Sequence, residues 1–168
     1  MDPDFRPFVI CAPGERPGKP RALGTREGVG DRMRTAAFAE LQAIQAFGWA
    51  AEHFQDAPEG LRASWRAQVA DETRHYEMIA RRMEELDLPL TGRPVSTALW
   101  SSLMECATGR DFCIRIAAAE ERGRQAGVKL MKHLEKTDPE TAAVFAEIAA
   151  DEVAHVALAA IWFDWTPE

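Results

Sequence analysis

The sequence repeats itself. When the chain is shifted by 80 residues, "AFAELQAIQA" (37–46) lies on "AAAEERGRQA" (117–126), and Ala37/Ala117, Ala39/Ala119, Glu40/Glu120, Gln45/Gln125 and Ala46/Ala126 coincide. The same shift lays "ADETRH" (70–75) on "ADEVAH" (150–155), matching Ala70/Ala150, Asp71/Asp151, Glu72/Glu152 and His75/His155. Each half carries a lone Glu and, 32 residues later, a Glu-x-x-His. Internal self-similarity of this kind means that one structural unit is used twice.

The spacing also says what the unit is. Apolar residues recur at helical steps: Met33, Ala36, Ala37, Ile44 and Phe47 through residue 54, then Trp65, Val69, Ile79, Met83 and Leu86 over roughly 61–87. "QDAPEG" separates these runs, and "LDLPLTGRP" stops the second with prolines and a glycine. A short helix is expected over 96–107, capped by Ser96 and ended by Gly109. Asp111 can cap a third long helix through about residue 135, with Phe112, Ile116, Val128 and Met131 on one face. In "KTDPE", Thr137 and Glu140 have capping-box spacing and Pro139 suits a first turn, so a fourth long helix runs to about Phe163. Four long helices with short, long and short connections give an all-α four-helix bundle with one long crossover between the second and third long helices. Residues 1–30, rich in Pro and Gly, form an arm that lies on the body or stays loose; residues 31–168 form the bundle domain.

Residues equidistant from the turn of a helical hairpin sit at one height. Asp56 is midway between Glu40 and Glu72, and Lys136 is midway between Glu120 and Glu152; both fall at the helix breaks. Two such hairpins packed about a pseudo-twofold bring Glu40, Glu72, His75, Glu120, Glu152 and His155 to one depth. Each lies on an apolar stripe, and Glu120 is preferred to Glu121, whose face is less consistently apolar. Uncompensated carboxylates at that depth are prohibitive. Two divalent cations would neutralise them, and mixed carboxylate and imidazole donors suit iron or manganese.

In these six residues the chain resembles the ferritin-like di-iron carboxylate superfamily, small bacterial ferritin-like proteins of unassigned function above all. That superfamily takes a Glu from each of two helices and a Glu-x-x-His from each of the other two. The resemblance spans residues 31–163. "DETRH" fits the form common there, whereas "DEVAH" has Ala154 where Arg would stand. The resemblance implies that Asp71 and Asp151 orient the ligand imidazoles. It implies two iron ions, or manganese, or one of each. The expected activity is that of an oxidoreductase activating O2 or peroxide, with a small-molecule substrate or electron donor. Ferroxidase or iron-handling chemistry with Fe2+ as substrate is the alternative, and a metal-free structural bundle the third. The Cys domain and further Glu ligand of a rubrerythrin are not found.

Tyr76, beside His75, is either a redox tyrosine or, the favoured reading, a packing aromatic. Cys113, two turns before Glu120, is near the site or simply packs. Trp100, Trp162 and Trp165 line a pocket or, by preference, fill the core. His53 and His133 lack a carboxylate at ligand spacing and are expected on the surface. A net charge of −7 disfavours nucleic acid and anionic membranes, although residues 15–34 are locally basic. No run is apolar enough to span a bilayer, and "MDPDFRPFVI" does not read as a signal peptide. Three cysteines without a Cys-x-x-Cys pair exclude a zinc ribbon and fit a cytoplasmic location. A homodimer is compatible with all of this.

Overall fold

A computed structural model describes residues 3–167; Met1, Asp2 and Glu168, which fall in the expected arm and bundle, lie outside the described residues. The chain forms α1 (Arg26–His53), α2 (Glu59–Glu85), α3 (Ala98–Met104), α4 (Gly109–Leu134) and α5 (Pro139–Phe163). Among the described residues there is no β-strand; Ile10 and Val95 form an isolated parallel bridge.

The local chemistry sets the helix ends, and several differ from expectation. α1 begins ahead of Asp31 because Thr25 caps it, accepting from the Gly28 N–H at 3.0 Å. The glycines that suggest a loose arm there serve close packing instead. A Cβ on Gly28 would lie 1.9 Å from the Ala22 carbonyl oxygen, and one on Gly30 3.1 Å from Leu88. Thr108, not Asp111, caps α4, accepting from the Asp111 N–H; Gly109 opens this helix rather than ending α3. α3 has Thr97 at its cap position, while Ser96 Oγ accepts from the Ala98 N–H. Asp138, not Thr137, caps α5 through the Thr141 N–H, with Pro139 in the first turn as expected.

α1 packs on α2 and α4 on α5. Both pairs are antiparallel: Arg62 of α2 donates to the Ala51 carbonyl at the turn end of α1, and Gly127 of α4 lies against Phe145 of α5. The hairpins then meet along α1–α4 and α2–α5. Phe47 and Phe112 stack edge to face at 6.1 Å on the first seam, and Arg82 donates to Asp138 at 2.9 Å on the second. Residues 86–108 join α2 to α4 and carry α3. α4 starts beside the α1–α2 turn, where the Gly109 N–H donates to Asp56 Oδ2 at 3.0 Å. A Cβ on Gly109 would stand 2.7 Å from Ala57 Cβ, so only glycine allows this approach.

The apolar core comes in two parts. One gathers Phe47, Leu61, Trp65, Leu103 and Phe112, the other Met33, Ile79, Met83, Leu130 and Phe145. The repeated Glu and His residues occupy the level between them. The arm lies on the body: Phe5 and Phe8 pack on Phe38 at 5.2 and 4.9 Å, and the Cys11 N–H donates to the Val95 carbonyl. Asp31, 5% exposed, pins arm and connection together by accepting from Arg21, Arg34 and Arg93. No helix among the described residues is long and apolar enough to cross a membrane.

Candidate metal centre

All six repeated residues converge. Helices put each Glu and its His, three residues later, on one face. Donor atoms of Glu40, Glu72, His75 and Glu152 lie within 4.8 Å of one another, as do those of Glu72, Glu120, Glu152 and His155. Glu72 and Glu152 belong to both groups. The arrangement is therefore two overlapping donor sets sharing two central carboxylates, with one Glu and one His peculiar to each. His75 Nδ1 is 3.3 Å from Glu152, 3.5 Å from Glu72 and 3.8 Å from Glu40; His155 Nδ1 is 2.8 Å from Glu72 and 3.6 Å from Glu152.

These short approaches do not satisfy the atoms that make them. Glu72 Oε1, Glu120 Oε1, Glu152 Oε2, His75 Nδ1 and His155 Nδ1 are buried without a partner in hydrogen-bond geometry. Orphaned buried polar atoms are costly, so a concentrated set of them requires an explanation, and a bound ion is one that satisfies them together. The donor set fits a metal ion: carboxylate oxygens with one imidazole nitrogen per position suit a first-row divalent ion.

The electrostatics of the cluster follow from burial and mutual charge. Burial drives the Glu40 and Glu120 carboxyls well above the usual carboxylate range, and the neighbouring Glu72 and Glu152 charges add to this. Burial opposes charge on the imidazoles, but the surrounding carboxylates win and raise His75 to about 12 and His155 to about 11. Glu72 shows the converse. Burial pushes it up, and the His155 and His75 rings outweigh that, drawing it down to about 2.

The other ring nitrogens are held crosswise between hairpins. His75 Nε2 on α2 lies 3.2 Å from Asp151 Oδ2 on α5, and His155 Nε2 on α5 lies 3.4 Å from Asp71 Oδ2 on α2. Each Asp therefore braces the imidazole of the opposite half. Arg74 donates to Asp151 at 2.5 Å and to Glu147 at 2.9 Å, tightening one brace; Ala154 stands at the matching position of the repeat, and Asp71 has only the same Arg74, 4.0 Å away.

A family model described as a protein of unknown function matches residues 3–168. The chain belongs to this family, DUF455. No curated protein and no solved structure matches it.

In this DUF455 chain one side of the cluster is open. A cavity of about 80 Å³ lies between α1 and α4, closed at the back by α5. The Glu40, Glu72, Glu120 and Glu152 carboxylates form its floor, and its walls are almost wholly apolar. Sequence reasoning missed this cavity, although the repeat holds its signal. Ala39/Ala119 and Ala43/Gly123 are small residues at equivalent positions beside Glu40 and Glu120. It also missed that Arg74 and Glu147 reach across to the opposite hairpin. Glu121 is turned away into a fork with Arg124, 2.7 Å on both arms, and it is Glu120 that lies in the second donor set.

The remaining candidates fall elsewhere. Tyr76 packs on Phe8 at 6.4 Å and lines an outer groove of α2 with Glu77 and Arg81. Cys113 is buried in the apolar cluster around Trp65, where burial raises its thiol to about 12; it does not line the cavity. Trp100 and Trp165 pack with that same cluster; Trp162, expected in the core, is instead exposed and covers Gly60. His53 and His133 are exposed, His53 stacked on Trp49.

Proposed function

We propose that this protein is a ferritin-like dinuclear metal carboxylate protein, with residues 86–108 as its long crossover, and that it acts as an O2- or peroxide-activating oxidoreductase. The observation that carries the metal reading is the pair of overlapping donor sets with partnerless atoms at their centre. Glu40 and His75 would hold one ion, Glu120 and His155 the other, and Glu72 and Glu152 would be shared between them. Iron or manganese bound there would supply the redox chemistry. The chain's own contributions are separable. Asp151 and Asp71 fix the imidazoles through Nε2, leaving Nδ1 toward the shared carboxylates, where it would serve as a ligand. The two apolar clusters exclude water above and below the site. The cavity leaves one approach, on the Glu40 and Glu120 side.

That cavity favours a reaction on a bound molecule over iron handling, since the walls above its carboxylate floor are almost wholly apolar and offer hydrated Fe2+ no ligands on the way in. Metal analysis of protein purified from cells supplied with iron and manganese tests the metal reading. About two ions per chain are expected. Less than about a tenth of an ion per chain would leave the metal-free structural bundle in its place.

A further inference from the structure

The cluster has two unlike sides. On the α2–α5 side, Asp71, Asp151, Arg74 and Glu147 form a polar closure. On the α1–α4 side the walls are Ala39, Ala43, Ala119 and Gly123, backed by Phe145 and Ile148. The small residues come in repeat-equivalent pairs, so each half contributes the same recess beside its own Glu.

Gly123 is the informative member. It lies in the interior of α4, exposed at the rim of the cavity. Neither backbone nor packing requires glycine here: its φ is not positive, and an added Cβ would meet nothing within 4 Å. A mid-helix glycine costs about 1 kcal/mol relative to alanine. What it leaves is open space above the carboxylates.

The chemistry of the walls restricts what can fill that space. Arg124 borders the cavity, but its Nε and Nη2 are both engaged by Glu121, so the rim presents a closed ion pair rather than a free cation. Above the carboxylate floor the walls offer a charged group of either sign no free partner. A volume of about 80 Å³ admits a few heavy atoms, not a helix or strand of another chain. We propose that this cavity binds a small uncharged apolar molecule, or the apolar end of a larger one, against the Glu40–Glu120 side of the cluster, and that Gly123 sets the size of what enters. The fate of that molecule rests on the metal-centre reading; its binding does not.

Xenon is a suitable probe, because it enters apolar cavities without needing polar partners. The dependence of the 129Xe chemical shift on protein concentration is compared for wild type, Gly123→Ala, Gly123→Leu and Ala126→Leu. Ala126 is an exposed residue on the same helix and controls for the added leucine. Gly123→Leu should reduce the slope by roughly threefold or more, Gly123→Ala should fall between, and Ala126→Leu should match wild type. Circular dichroism and metal content should be the same in all four. Equal slopes for wild type and Gly123→Leu, or a wild-type slope no larger than that of a protein without an apolar cavity, would overturn the proposal. Metal-free protein with a Gly123-dependent slope would instead remove the metal reading and keep the cavity.

Discussion

His75 Nε2 and Asp151 Oδ2 lie 3.2 Å apart although they belong to different halves of the repeat. The imidazole that completes the first donor set is thus aimed by the second hairpin. The reciprocal pair, His155 with Asp71, is longer at 3.4 Å, and Arg74 is hydrogen-bonded to Asp151 at 2.5 Å but stands 4.0 Å from Asp71. The pseudo-twofold is therefore broken at Arg74/Ala154, and the two donor sets, if both take a metal as proposed, should not be equivalent.

Asp151→Asn should weaken metal binding roughly 10- to 100-fold, the usual cost of losing such a partner, with helical circular dichroism retained. Asp71→Asn should cost less. Arg74→Ala should resemble a mild Asp151→Asn and bring the two binding steps closer together. Chelator competition measures all three. A larger loss for Asp71→Asn than for Asp151→Asn would contradict the asymmetry.

Removing donors should separate metal binding from folding. Glu152→Ala with His155→Ala should strip most of the bound metal while the helical signal stays; full metal content in the double variant would sink the ligand assignment. Glu120→Gln gives the complementary result. Burial already holds this carboxyl above its usual range, and its Oε1 has no partner. Replacing it should stabilise the metal-free protein by about 1 kcal/mol while lowering metal content. Urea denaturation of chelator-treated protein reads the first effect and metal analysis the second.

The cluster was legible because it obeys two periodicities at once, the 80-residue repeat and the helical step that placed Glu40, Glu72 and Glu152 on apolar stripes. Helix ends were less legible. Capping depends on which side chain reaches an N–H, so Thr137 and Asp138 compete as neighbours, and Asp138 wins with Arg82 bonded to it as well. The cavity was hidden for a different reason. Alanines and a glycine on a helix read equally as core or as space, and only the separation of α1 from α4 decides between them.

Asp31 predicts an acid-sensitive arm. The Arg21 guanidinium, opposed by burial and helped by Arg93, holds its carboxyl well below the usual range. A depressed folded value contributes stability above the unfolded pKa of about 3.9 and loses it as pH falls below that value. Asp31→Asn also leaves Arg34, 3% exposed, without its carboxylate partner, at a cost of about 3 kcal/mol near neutral pH. The gap between wild type and variant should narrow below about pH 4. Denaturation midpoints across pH 3–7 measure it, and a gap that does not change with pH would show that the ion pairs contribute no charge-dependent stability.

Two glycines on long helices should respond in opposite directions to the same substitution. Gly28→Ala would force a Cβ to within 1.9 Å of the Ala22 carbonyl oxygen, backbone that cannot move without unseating the Thr25 cap. A loss of about 2 kcal/mol is expected, as for other overpacked sites. Gly123→Ala meets open space and gains helix propensity, so it should stabilise by up to about 1 kcal/mol. Thermal denaturation of the two variants side by side decides it. A destabilised Gly123→Ala would mean that the rim of the cavity is packed against something, and that the glycine is there for structure rather than for access.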